Sequence, residues 1–221
     1  MTVRKLAVFD FDHTLTTWDT SARFFVWLIR RTAWKSGLVL LALPLLGPLL
    51  LARRTRKVPI RFGAWVATLG VSSEYLHHLS RAHVALVIHG GEKFVRKDAV
   101  ARVRHHLDHG HEVVVATGSL EVLVREILKV EGLSEIEVVG STVRSFLGGM
   151  VTKEHCFGGH KIPMLLARGF ASPFAFAYSD HEADLPLLRY GTERYIVDPN
   201  RRTAEVLAAE LGESAVVLLW E

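Results

Sequence analysis

The chain has 221 residues and a formal net charge of +4 at neutral pH. That length allows one hydrophobic core with a modest insertion, and the slight basic excess suits an anionic substrate or surface without naming it. A single cysteine, Cys156, excludes an internal disulfide and fits a reducing compartment, and no repeat, zinc-type spacing or nucleic-acid motif stands out.

Leu6-Ala7-Val8-Phe9 reads as a short buried strand that ends in Asp10-Phe11-Asp12-His13-Thr14. Residues alternate faces along an extended chain, so Asp10 and Asp12 point the same way until the strand breaks. One carboxylate can attack phosphorus and the other can handle the leaving group's proton. The same pair would also suit a capped strand–loop junction, because Asp is a common turn residue. The apolar run before these acids is short, which argues against a signal peptide.

Residues 18–91 separate this strand from the next and should form a mainly helical cap. Phe24, Phe25, Trp27, Leu28 and Ile29 begin an apolar helical pattern closed by Arg30 and Arg31. Residues 38–52 then carry no charged or hydrogen-bonding side chain, and Arg53, Arg54, Arg56 and Lys57 follow at once. As a buried helix this run lacks a polar face and is interrupted by Pro44 and by Gly47-Pro48. As a membrane span it covers only ~22 Å at ~1.5 Å per residue, short of a hydrocarbon core of ~30 Å. A single span would also put Asp10 and Asp180 on opposite sides of the bilayer. The expectation is a bent helical hairpin or interfacial helix that enters and leaves on the cytoplasmic side, where its basic flanks belong. A buried cap helix in a cytoplasmic protein is the alternative. Trp27, Trp34 and Trp65 fit either reading, as headgroup anchors or as core aromatics.

His77, His78 and His83 are ambiguous on a cap helix, and His89-Gly90-Gly91 marks the return to the core. A helical pattern from near Asp98 closes with His105, His106, His109 and His111, which read as solvated imidazoles near a helix C-terminus. Val113-Val114-Val115-Ala116 is a second buried strand, followed by Thr117-Gly118-Ser119 and a helix from Leu120. Thr117 offers a hydroxyl, and Gly118 lets backbone N–H groups approach an anion. Residues 143–151, with Gly148-Gly149 between apolar runs, read as a β-hairpin, either a second cap element or a surface turn. Gly158-Gly159-His160-Lys161 opens another helix and places an ammonium there. Ala175-Phe176-Ala177-Tyr178 is a third strand, ending in Ser179-Asp180 with Asp184 beyond. Asp198-Pro199-Asn200 reads as a turn before the final helix, and Cys156 as an unassisted thiol.

An acidic pair, a hydroxyl, a lysine and a second acidic pair, each after a strand or at a helix start, resemble the haloacid dehalogenase superfamily of phosphatases and its phosphoserine-phosphatase-like branch. Those motifs extend from Asp10 to Asp184, with His13 and Ser179 where glycine is usual. The pieces Phe24-Phe25-Val26-Trp27-Leu28-Ile29-Arg30-Arg31 before a Leu/Pro-rich stretch, Trp65 with Thr68-Leu69-Gly70 after it, Thr117-Gly118-Ser119, and Cys156-Phe157-Gly158-Gly159-His160-Lys161 are similar to the bacterial phosphatidylglycerophosphatase C group.

The resemblance implies an α/β fold: a three-layer, Rossmann-like parallel sheet core from residues 1–17 and 92–221, with residues 18–91 as the inserted helical cap. It implies that Asp10 attacks phosphorus and that Asp12 protonates the leaving alkoxide. Asp10, the Asp12 carbonyl and Asp180 would hold Mg²⁺, with Asp184 completing the metal site directly or through water. Thr117, the Gly118 N–H and Lys161 would neutralise the phosphoryl oxygens. Asp19 would help choose the substrate, or simply cap a helix. The implied substrate is a phosphomonoester, a lipid such as phosphatidylglycerophosphate, met at an anionic membrane surface on the cytoplasmic face. A soluble phosphatase for a small ester such as phosphoserine, and a non-catalytic membrane-bound regulator, are the other readings. Charge supports a bound cation, because carboxylates this crowded repel one another and a dianionic substrate.

Overall fold

The computed structural model describes residues 4–52, 54–170 and 174–220; Arg53 lies outside them. Its centre is a seven-stranded sheet in the order β4-β3-β2-β1-β5-β6-β7. The strands are β1 (Leu6–Phe9), β2 (Glu112–Leu120), β3 (Glu137–Phe146), β4 (Gly149–Glu154), β5 (Phe174–Ser179), β6 (Gly191–Val197) and β7 (Ala215–Leu218). All neighbours run parallel except β3 and β4. The continuous apolar runs of β1 and β2 fit this placement, since parallel interior strands are buried on both faces. Phe9, Tyr178 and Val115 pack on one face of the sheet, and Val8, Val114 and Leu165 on the other. This is the three-layer α/β fold expected from the sequence.

Register decides where the chemistry sits. Phe9 pairs with Val115 on one side and Tyr178 on the other. The residues just beyond these positions on three adjacent strands therefore meet at one sheet edge, the carboxyl end where open α/β sheets bind ligands.

Four helices fill the connection that follows β1: α1 (Thr20–Arg30), α2 (Ala33–Leu46), α3 (Lys57–Ala67) and α4 (Ser73–His89). Then α5 (Lys97–Asp108) leads into β2. The Asp19 carboxylate accepts a 2.8 Å bond from the Ala22 N–H, so it caps α1. Helix α1 turns Phe24 and Leu28 inward, and Phe24 packs against Trp27 and His83.

Helices α2 and α3 form an antiparallel hairpin, because Lys35 at the start of α2 donates a 2.8 Å bond to the Ala67 carbonyl at the end of α3. Pro44 does not end α2, which continues to Leu46 before a 3-10 turn over Gly47–Leu50. The apolar stretch Ala33–Leu50 has a mean hydropathy of 1.6 yet is only 6% buried. Leu41 is 80% exposed and Leu51 90%, while the one buried residue of α2 is Lys35. The buried cap helix considered above is thus not what forms. Trp34 is exposed with the leucines, whereas Trp27 packs against the core and the Trp65 indole N–H donates to the Phe146 carbonyl.

The hairpin expected over residues 143–151 is the outer end of longer strands. It turns at Leu147-Gly148, both with positive φ (45° and 76°), the pair a tight hairpin turn requires. It braces α3: a Cβ on Gly149 would lie 2.7 Å from the Trp65 backbone, and Met150 N–H donates to Thr68 Oγ1 at 2.8 Å.

The histidine reading needs correction at His106, and the ambiguity at His83 is resolved. His106 is buried, with Nε2 2.9 Å from the Tyr178 hydroxyl and Nδ1 2.9 Å from His111 Nδ1. His83 is buried against Phe24 and Trp27. Their helices turn these faces inward, and burial first, then neighbouring positive charge, pushes both imidazoles down to about 4.

Candidate active site

Asp10 follows β1 directly, and its N–H donates to the Tyr178 carbonyl at 2.9 Å, tying the loop to β5. Lys161, the first residue of α7 (Lys161–Ala167), is 1% exposed. Its ammonium donates to Asp10 Oδ1 and to Asp184 Oδ2, both at 2.6 Å. Burial alone would push the lysine pKa down, but the two carboxylates outweigh it and hold it above its ordinary value. Gly158 makes this approach possible. Its φ is +55°, and a Cβ there would sit 3.0 Å from the Ala183 carbonyl oxygen, next to Asp184.

Asp10 Oδ2 accepts no hydrogen bond from the described residues, which leaves it free to attack. Burial, with the charges of Asp184 and Asp180, raises the Asp10 pKa although Lys161 pulls the other way. Burial likewise raises Asp180, against His13 and His181. His13 stands in the left-handed region at φ 61°, which explains why glycine is usual there. Ser179, the other departure, donates to Asp184 Oδ2 at 2.8 Å.

Asp12 turns away from this group. Its Oδ1 accepts from Thr20 N–H at 2.9 Å and from Thr20 Oγ1 at 2.5 Å, and its Oδ2 accepts from Ser119 Oγ at 2.6 Å. Burial raises its pKa, partly offset by these three bonds. A carboxyl held between two hydroxyls and poised above its ordinary range suits proton donation. Sequence reasoning missed Thr20 and gave Ser119 no role. Nothing local marks a hydroxyl that meets its carboxylate across 107 residues.

Thr117 is fully buried, and Ser119 N–H donates to its Oγ1 at 3.0 Å. The β2–β3 ladder is irregular between Ala116 and Leu120, so Thr117-Gly118-Ser119 bulges at the sheet edge beside Asp10. Strand β2 includes these residues, and α6 (Glu121–Val130) follows it. Cys156 is buried and its thiol is pushed up to about 12, mainly by burial, so it stays protonated. Asp198 pairs with Arg96 and accepts from Trp220 N–H, a structural role away from Asp10. Two surface pockets, of 340 and 310 Å³, are lined by neither Asp10 nor Lys161.

The donors suit a hard cation. Asp184 Oδ1 is buried with no hydrogen-bond partner, and the charge of Asp184 raises the proton affinity of Asp10 and of Asp180. Among the described residues no three His, Cys, Asp or Glu side chains converge as a metal cluster. Lys161 occupies the space between Asp10 and Asp184, and the Asp12 carboxylate faces Thr20 and Ser119. A cation here would draw on Asp10, Asp180, a backbone carbonyl and Asp184, directly or through water.

Comparison with known proteins bears on the fold and the family. No curated protein sequence matches the chain. A crystal structure of a protein of unknown function from Bordetella pertussis Tohama I is similar at a TM-score of 0.74 and 22% identity, covering 97% of this chain and 99% of the other. A phosphoserine phosphohydrolase-like protein from Francisella tularensis gives a TM-score of 0.59 and 14% identity, covering 97% and 95%. A phospho-aspartyl intermediate analogue of phosphoserine phosphatase gives 0.57 and 13%, covering 98% and 93%. The model of the haloacid dehalogenase-like hydrolases matches residues 7–189, most of the chain, with Asp10, Asp12, Asp180 and Asp184 inside the match. The chain is a hydrolase that belongs to the haloacid dehalogenase-like family, with phosphoserine phosphatases among its structural neighbours.

Proposed function

We propose that the chain is a Mg²⁺-dependent phosphomonoesterase acting on a membrane lipid phosphate such as phosphatidylglycerophosphate. The observation that carries the chemistry is the buried chain Asp10–Lys161–Asp184 with Asp10 Oδ2 left unbonded. In the first step Asp10 Oδ2 bonds to phosphorus as the ester P–O bond breaks, and Asp12 gives its proton to the departing alkoxide. Water then attacks the aspartyl phosphate, Asp12 takes a proton from that water, and inorganic phosphate leaves with Asp10 restored. Lys161, the Thr117 hydroxyl and the Gly118 N–H stabilise charge on the phosphoryl oxygens. Asp10, Asp180, the Asp12 carbonyl and Asp184 would hold Mg²⁺, which would supply further neutralisation of charge on the phosphoryl oxygens.

The exposed α2–α3 hairpin supports the lipid reading. A soluble surface rarely shows such a contiguous apolar patch, and both ends of the hairpin return to one side, so it can enter one leaflet while the sheet stays in water. The protein then sits on the cytoplasmic face of the membrane, its cleft at headgroup depth. A soluble enzyme for a phosphoserine-like ester is the second reading, favoured by the names of the structural neighbours. Purified protein assayed with Mg²⁺ against phosphoserine, small phosphomonoesters and phosphatidylglycerophosphate in vesicles separates them. Turnover confined to phosphoserine would overturn the lipid reading, and turnover of no phosphomonoester would overturn both.

A further inference from the structure

We propose that Ser141, on β3, is a positioning residue for phosphoryl transfer: its hydroxyl holds the peptide that aims Thr117 at the phosphoryl group. The inference rests on the phosphomonoesterase reading and adds to it a residue that acts through another.

The need for Ser141 begins with the bulge in β2. Val115 and Ala116 pair with Val138 and Val139, and the ladder resumes only at Leu120 and Ser141, so Gly118 has no paired residue on β3. A carbonyl taken out of its ladder needs another donor. Ser141 supplies it from the neighbouring strand, donating to the Gly118 carbonyl at 2.7 Å. Gly140, the residue before, lets β3 press against the start of α6, since a Cβ there would lie 2.7 Å from Glu121 Cα.

The peptide held in this way has a second end. The Gly118 carbonyl and the Ser119 N–H belong to one planar unit, and that N–H donates to Thr117 Oγ1 at 3.0 Å. Thr117 therefore accepts from behind, and its own proton has no acceptor among the described residues. Thr117 is fully buried, and a buried donor left unpaired is costly. A phosphoryl oxygen beside Asp10 would take that proton. The chain runs from the Ser141 hydroxyl through the peptide to the Thr117 hydroxyl and on to phosphate, each link polarising the next.

Ser141 cannot easily turn away. It is buried, the Cys156 N–H donates to its Oγ at 3.1 Å, and His155 Nδ1 lies 3.0 Å from the same oxygen. The Cys156 amide only gives a proton and the Gly118 carbonyl only accepts one. The single hydroxyl proton thus goes to Gly118, and His155 donates from Nδ1. One donor and two acceptor positions are then all in use. Cys156 also opens the run that reaches Lys161 five residues on, so the Thr117 and Lys161 arms share a footing at this oxygen.

The test is a double-mutant cycle with p-nitrophenyl phosphate, a soluble ester on which membrane attraction plays no part. Thr117→Val should lower kcat/KM by about a hundredfold, the scale of one lost donor to the reacting group. Ser141→Ala should lower it by about tenfold in otherwise wild-type protein, but by less than about threefold in Thr117→Val protein, where the hydroxyl it aims is gone. Ser141→Thr keeps the donor while crowding the site, and should stay within about threefold of wild type. If Ser141→Ala does not fold, Ser141→Cys, close to serine in shape and weak as a donor, takes its place in the cycle. Calorimetric titration of the same proteins with inorganic phosphate reads the coupling without turnover, as non-additive changes in Kd. The same loss from Ser141→Ala with and without the Thr117 hydroxyl, or a Ser141→Thr protein as impaired as Ser141→Ala, would overturn the positioning role. Coupled Kd values with no phosphomonoester hydrolysed by wild type would sink the phosphatase reading and leave the positioning role standing. A wild type that neither hydrolyses the ester nor binds phosphate would overturn both.

Discussion

The carboxyl edge of the sheet and the α2–α3 hairpin invert each other's use of polarity. At the sheet edge, charged groups are buried and held: Lys161 is 1% exposed between two carboxylates, inside an apolar double layer. In the hairpin, leucines are exposed and a lysine is inside. Each arrangement is costly in water alone. Buried charge costs solvation unless it is paired, and exposed leucine forgoes the gain that drives folding. Under the proposed function an anion and a cation complete the first region, and an apolar phase completes the second.

The largest effects should come from breaking the buried charge chain. Asp10→Asn should lower kcat by at least about 10⁴-fold, since an amide cannot form the acyl phosphate. Lys161→Met leaves Asp10 and Asp184 facing each other without their shared cation. It should destabilise the fold by ~3–5 kcal/mol in urea denaturation, and added Mg²⁺ should return part of that loss. Unchanged stability in Lys161→Met would mean that the carboxylates are not charged partners in the folded protein.

Ser119→Ala tests the neighbouring polar pair at a smaller scale. Its hydroxyl stabilises the ionised form of Asp12, so its loss should raise the Asp12 pKa and move the pH profile of kcat upward. The rate at neutral pH should change by about tenfold. A fall in rate with an unmoved profile would assign Ser119 to packing instead.

The two buried histidines sharpen the contrast through pH. Both fall to about 4 in the folded protein, from 6.5 when unfolded. The unfolded chain binds protons at these sites as pH drops below 6.5, and the folded chain does not until about 4. Their contribution is therefore complete above 6.5, is lost as pH falls through that window, and levels off below it. Each full shift corresponds to ~3 kcal/mol, and partial solvent access brings it to about 1–2 kcal/mol. Asp10, Asp12 and Asp180, raised by burial, act in the opposite sense, so the difference between wild type and His83→Leu isolates the imidazole. The variant's Tm should lose less than wild type between pH 6.5 and 4; parallel curves would show that His83 titrates normally.

Local strings made the sheet and its acids legible. Four-residue apolar runs ending in Asp, Thr or Ser-Asp mark parallel strands with chemistry at their carboxyl ends, and the structure has that sheet. Long-range partners were not legible. Thr20 and Ser119 meet Asp12 only after α1 packs on β2, and His106 finds Tyr178 only when α5 covers the sheet. Solvated surface histidines and buried ones look alike as strings, because helix phase relative to the core is a tertiary fact. The apolar run was the reverse case: its composition was plain, and only packing could tell a buried helix from an exposed one.

The smallest effect on the fold should come from the most hydrophobic residues. Leu40, Leu41, Leu50 and Leu51 are 66%, 80%, 48% and 90% exposed, so replacing each with Ser removes little buried surface. Each change should stay within about 0.5 kcal/mol in denaturant unfolding, whereas Phe24→Ala, in the packed root of the same insertion, should cost ~3–5 kcal/mol. The quadruple variant should instead lose binding to vesicles containing anionic lipid, and turnover of a vesicle-borne phosphate should fall with it. Turnover of a short soluble ester depends on groups at the sheet edge and should survive. If the quadruple variant unfolds early or loses both activities equally, the hairpin is core after all, and the inverted polarity of the two regions would have to be explained without a membrane.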